Sequence, residues 1–125
     1  MRVLADTHAL VWAINSPELL GSAALAAFEN EQIVASVASL WELSVKAGRK
    51  NALLADPLAW WRKYVINNGV FTLSIRTQDV IVLCSLAEIH KDPFDRILVA
   101  QSLSEGIPLV TKDGQLSLYG IPTIW

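Results

Sequence analysis

The chain carries a single cysteine, Cys84, so no internal disulfide can form. Cys84 ends the run Val80-Ile81-Val82-Leu83 and is expected to be an inert core thiol. Basic residues show no excess: the formal net charge is −2, and no basic run of the kind that tethers a domain to nucleic acid occurs. A nucleic-acid substrate would therefore depend on local cations such as Lys46, Arg49, Lys50, Lys91, Arg96 and Lys112. No apolar run approaches a membrane span, and the opening apolar stretch is too short for a signal peptide, with Asp6 interrupting it. These features predict a cytoplasmic protein with no membrane partner. Charged residues amount to only 18% against 53% hydrophobic ones, which excludes disorder. Such a balance suits a sheet buried on both sides, an apolar face kept for a partner, or both.

The 125 residues suit one domain, with no internal repeat, linker or low-complexity stretch. Val3-Leu4-Ala5 and Ile33-Val34-Ala35 read as buried strands. Val70 to Leu73, Pro108 to Thr111 and Pro122 to Trp125 are further strand candidates. Helices are expected from Thr7 to Ile14, after a Ser22 cap, from Ser36 to Ala47, from Pro57 to Asn67, from Thr77 to Ala87 and from Pro93 to Glu105. Asp56-Pro57 and Asp92-Pro93 both place a capping acid before a proline at the first helical position. Strands alternating with helices predict an α/β three-layer sandwich around a mainly parallel sheet of four to five strands. Ligands of such sheets bind beyond the carboxyl ends of the strands, where Asp6 and Asp113 fall on one edge.

Two further acids, Glu42 and Asp95, lie in largely apolar helical segments. Each acid has a local explanation: Asp6 could cap the following helix, Asp113-Gly114 could be a turn, Asp95 could favour a helix dipole, and Glu42 could pair with Lys46. As a set they imply more. Converging carboxylates repel each other by roughly 4 kcal/mol per pair at about 4 Å and an effective dielectric of about 20. A divalent cation, Mg²⁺ or Mn²⁺, removes that penalty. Asp92 is expected to cap its helix, with an outer metal contact in reserve. Ser39, on the same helix face as Glu42, and Thr7 and Thr111, beside strand ends, could hydrogen-bond water or the carboxylates. His8 and His90 have no cysteine pair or close histidine pair to make a zinc site, and His90 is assigned to shaping the loop before Asp92. Trp60-Trp61 lies on a helical stripe with Leu58 and Val65; core packing or a groove for a partner helix explains it better than base stacking.

Four segments, in order, resemble the PIN-domain ribonucleases, and most of all the VapC-type toxins of bacterial and archaeal toxin–antitoxin pairs. They are Asp6-Thr7-His8-Ala9-Leu10-Val11-Trp12, Ser36 through Lys46, His90-Lys91-Asp92-Pro93-Phe94-Asp95-Arg96 with the apolar residues after it, and Val110-Thr111-Lys112-Asp113. The resemblance covers essentially the whole chain, 1–125, as a single PIN-like nuclease domain. It implies metal-dependent hydrolysis of RNA phosphodiester bonds, with Asp6, Glu42, Asp95 and Asp113 holding one or two Mg²⁺ or Mn²⁺ ions. Asp6 and Asp95 are the expected direct ligands. Glu42 and Asp113 would act through water or a second ion, and Lys46 and Arg96 are candidates for phosphate contact. The resemblance also implies a homodimer and a cognate antitoxin that covers an apolar groove.

Two other readings stay within this fold: a housekeeping PIN nuclease of RNA or DNA without an antitoxin, and a PIN-fold binding module that does not cut. A phospho-receiver domain is excluded, because it needs adjacent acids after the first strand and an aspartate ending the third, where Thr72-Leu73-Ser74-Ile75 stands. A haloacid-dehalogenase-type phosphatase needs Asp-x-Asp, and Asp6-Thr7-His8 lacks the second acid.

Overall fold

Five short strands, all parallel, make the middle layer of the computed structural model, which describes residues 1–125. They are β1 (Arg2–Ala5), β2 (Gln32–Ser36), β3 (Phe71–Leu73), β4 (Leu109–Val110) and β5 (Thr123–Ile124), in the order β3-β2-β1-β4-β5. The helices are α1 (Thr7–Asn15), α2 (Ser22–Asn30), α3 (Val37–Lys46), α4 (Pro57–Trp61), α5 (Thr77–Ser85) and α6 (Pro93–Glu105). This is the sandwich expected from the alternation of apolar runs and capped helices. Two short 3₁₀ segments, Pro17–Leu19 and Gly114–Tyr119, were not foreseen, and α4 continues as a wider π-type turn over Arg62–Ile66.

β1 is the centre of the sheet. Val3, Leu4 and Ala5 are fully buried, and the alternating pleat sends them to opposite faces. Leu4 packs with Leu98, Val99 and Leu109 in the cluster under α5 and α6. Ala5 packs with Leu10, Leu43, Trp60 and Trp61, and Val3 with Ala24 and Ala27, on the side of α1, α2 and α4. The chain runs outward from β1 to β2 and β3, then crosses back to place β4 on the other side of β1. That reversal opens a crevice at the carboxyl ends of β1 and β4, where open α/β sheets bind ligands.

One local expectation is narrowed and two need correction. Trp60 and Trp61 are 8% and 2% exposed, which is the core packing expected for them and leaves no groove to a partner. The Trp60 indole donates to Asn15 Oδ1 at 3.0 Å, which ties the two helices and satisfies the buried N–H. Cys84 is exposed instead of buried, because α5 packs one face on α6 and turns Val80, Ile81 and Cys84 outward. The amino-terminal cap of α2 is Gly21, with Ser22 as the first helical residue.

Candidate active site

Asp6 leaves the end of β1 and caps α1, accepting from the Ala9 amide at 2.8 Å. Capping holds one carboxylate oxygen inside, with the residue only 7% exposed. Burial pushes the Asp6 carboxyl up, against the Thr111 hydroxyl, the Ala9 amide and His8, which favour the ionised form; Glu42 adds to the rise. Asp113 follows β4. Its amide donates to Thr111 Oγ1 at 3.1 Å, and its Oδ1 accepts from the Gln115 amide at 3.0 Å, a turn that points Oδ2 into the crevice.

Asp95 arrives from the first turn of α6. Asp92 caps that helix as expected, accepting from the Phe94 and Asp95 amides at 2.8 and 3.2 Å. The Asp95 carboxylate accepts no hydrogen bond from the protein. Its side chain is only 25% exposed. Burial first, then the charges of Asp92, Glu42 and Asp6, push it up to about 7, with His90 opposing. Asp6, Asp95 and Asp113 line one cavity of about 360 Å³ together with His8, Trp12 and Lys112.

Glu42 is placed differently. It lines a second cavity that meets the first at His8. Thr7 donates to Glu42 Oε1 at 2.6 Å, with Ser39 Oγ 3.0 Å from the Thr7 hydroxyl. Lys46 Nζ lies 2.5 Å from Glu42 Oε2 and 3.8 Å from Asp92 Oδ2. Glu42 is thus both the helical partner of Lys46 and a buried acid whose field reaches Asp6 and Asp95. Burial lowers the Lys46 ammonium, but Glu42, Asp92 and Asp95 outweigh it and the net shift is upward, so Lys46 stays charged.

Arg96 points away from the crevice. Its Nη1 donates to the carbonyls of Ala87 and His90 at 2.9 and 3.4 Å and to the Tyr119 hydroxyl at 3.1 Å. Through Nη1 the guanidinium ties the loop before α6 to the segment after β4, and Arg96 lines neither cavity. His90 was undervalued. Its Nδ1 accepts the Asp92 amide at 3.1 Å, so the ring proton falls on Nε2, which faces Asp113 Oδ2 at 2.9 Å and Asp95 Oδ2 at 3.6 Å. The signal in the sequence was its place two residues before a helix-capping acid: a ring used on one edge by the backbone is free to turn the other edge to Asp113 and Asp95.

The donor set fits a hard divalent cation. Carboxylate oxygens of Asp95 and Asp113 lie within 4.8 Å of each other, with His90 Nε2–H beside them as a donor, and Asp6 opens onto the same cavity. Oxygen donors dominate, as Mg²⁺ and Mn²⁺ require. An under-bonded carboxyl held near neutrality gains most from such an ion.

The pattern that defines the PIN domain matches residues 3–121. The chain is 31% identical over 128 residues to Ribonuclease VapC22 of Mycobacterium tuberculosis (strain ATCC 25618 / H37Rv), covering 98% of each. The DNA-bound VapBC structure from Salmonella typhimurium superposes with a TM-score of 0.73 at 20% identity, over 98% of this chain and 96% of that one. FitAcB from Neisseria gonorrhoeae gives 0.70 at 12% identity, over 97% and 95%. At those identities the two structures bear on the fold.

Proposed function

This chain belongs to the PIN-domain family, and on that premise we propose that it is a metal-dependent endoribonuclease of the VapC toxin type, silenced by a cognate antitoxin. The observation that carries the reading is Asp95: a carboxyl raised to about 7, accepting no hydrogen bond, in one cavity with Asp6 and Asp113. Burial of acids without donors is unfavourable in the isolated fold and is offset when a cation arrives. Asp6, Asp95 and Asp113 would hold Mg²⁺ or Mn²⁺, with Glu42 at the edge of the site. The bound ion supplies positive charge that activates water and steadies the phosphate oxygens.

The remaining work falls to the chain. The Ala9 amide fixes Asp6. The His90 Nε2–H holds Asp113 Oδ2 toward Asp95. Thr7 and Lys46 hold Glu42 in place through its two carboxylate oxygens. Lys46 is 38% exposed and can meet substrate phosphate with its remaining donors. On α3, Val37, Trp41 and Val45 are 37%, 54% and 44% exposed, four residues apart on one stripe, which supports burial against the antitoxin or a second copy in a homodimer. No helix is long and apolar enough to cross a membrane.

The test is cleavage of labelled total RNA by the antitoxin-free protein with Mg²⁺, Mn²⁺ or EDTA, beside Asp6→Asn. Discrete fragments that need the ion and vanish in the variant are expected. Fragments that persist in EDTA or in the variant would refute the reading. Copurification with the product of a small adjacent gene separates a toxin from a housekeeping nuclease.

A further inference from the structure

The cavity beside the acidic one has the opposite character. Its volume is about 410 Å³, within the range of small-ligand sites. Leu43, Ala52 and Leu53 give it apolar walls, while Arg49, Lys50 and Asn51 give it polar groups. The local sequence builds it. Gly48, at φ +81°, turns the chain sharply after α3, and the Arg49 amide returns to the Lys46 carbonyl at 3.2 Å. The Ala52 amide then bonds the Arg49 carbonyl at 3.1 Å, so the loop folds back beside the end of α3.

Lys46, Arg49 and Lys50 are three of the chain's ten lysines and arginines, and all line this one cavity. Lys46 is held by Glu42 and Asp92. Arg49 and Lys50 are exposed and make no ion pair. Thr7 and His8, the residues after Asp6, form the wall toward the acidic site, and His8 lines both cavities.

We infer that this cavity is a nucleotide subsite, which seats the RNA residue next to the cleaved bond, with Arg49 and Lys50 on its phosphate and its base against Leu43, Leu53 and the Asn51 amide. The inference rests on the ribonuclease reading and deepens it. An RNA strand brought to the acids carries neighbouring phosphates that no bound ion neutralises. Free cations one step away answer that charge, and phosphate contact fixes the strand's register over the acids. Apolar walls with a single amide suit the faces and edge of an unstacked base better than an acidic peptide.

The test compares Arg49→Ala/Lys50→Ala with the wild type and with Arg62→Ala/Lys63→Ala, which removes equal charge from an exposed site outside the cavity. Steady-state cleavage of a short labelled single-stranded RNA should show KM raised roughly tenfold, with kcat within about twofold, in the first variant alone. In an Asp95→Asn background, fluorescence anisotropy with the same RNA should show the salt slope of binding reduced by about 1.4, for two lost phosphate contacts on a single strand. Asn51→Ala should shift the preference among RNAs differing in one base beside the cut. Unchanged KM and salt slope in an active protein would overturn the subsite and leave the nuclease reading standing. Loss of antitoxin affinity with RNA parameters intact would assign the cavity to a protein segment and equally overturn it. If the wild type cuts no RNA, the nuclease reading fails, and the anisotropy arm still decides whether this cavity binds a polynucleotide.

Discussion

Two aspartates, the buried Asp79 and the half-buried Asp95, show how one residue type serves opposite ends. Asp79, in the first turn of α5, is fully buried. It accepts from the Arg76 amide at 2.9 Å, the Arg76 guanidinium at 3.3 Å and the Gln101 amide at 3.5 Å. Burial pushes its carboxyl up, but those donors and the Arg76 charge outweigh it, and the net shift is downward. Asp95 is less buried, yet it has no donor and three acidic neighbours, and it rises to about 7. The supply of donors, more than depth, separates a carboxylate that holds the fold together from one left without a partner among like charges.

The largest effect expected from breaking that contrast is on chemistry. Asp95→Asn should reduce RNA cleavage by more than about 100-fold and abolish stabilisation by Mn²⁺, while the metal-free melting temperature stays level or rises because a repelled charge is gone. Cleavage assays and thermal scans with and without Mn²⁺ read both; a metal-free protein that unfolds at lower temperature would contradict the assignment. His90→Gln should weaken Mn²⁺ affinity by about tenfold, as loss of a group that orients a ligand does, and titration calorimetry reads it. Asp79→Asn should do the reverse of Asp95→Asn. Stability should fall by roughly 2 kcal/mol in urea denaturation, with kcat retained.

The pH dependence sharpens the comparison. Asp95 has a folded pKa above its unfolded value near 4, so its contribution to metal-free stability is complete below about pH 4 and is lost as pH rises toward about 7. Asp79 has a lowered pKa, so its contribution is complete above about pH 4 and is lost as pH falls. Asp95→Asn should shrink the decline between about pH 4 and 7, leave the share that comes from the raised Asp6, and keep the acid limb intact. In the wild type, Mn²⁺ must displace the Asp95 proton, so affinity should climb with pH and level off above about 7. The smallest effect belongs to Cys84→Ser, which should change stability by less than about 0.5 kcal/mol, since the thiol faces solvent.

The order of layers was legible because it depends on features the chain displays locally: fully apolar strands, Asp-Pro helix starts, and glycines at helix ends. The convergence of Asp6 and Asp113 followed from strand ends alone. What the sequence could not reveal depends on which face of an element meets which neighbour. The run containing Cys84 looks buried throughout, yet α5 has a neighbour on one side only. Arg96 lies one residue after Asp95, and a step of about 100° around a helix is enough to send it to Tyr119 instead of the crevice. His90 shows its role only when Asp92 and Asp113 are seen on its opposite edges.

The strand order has a consequence in time. Asp6 follows β1, but β4, the partner of β1 on one side, comes only after α6, and Asp113 follows it. Until β4 docks, β1 has only β2 beside it, and the crevice has a single wall. A chain whose last strands have not docked therefore lacks the Asp113 side of the cavity, so the acidic site exists only once the sheet is closed.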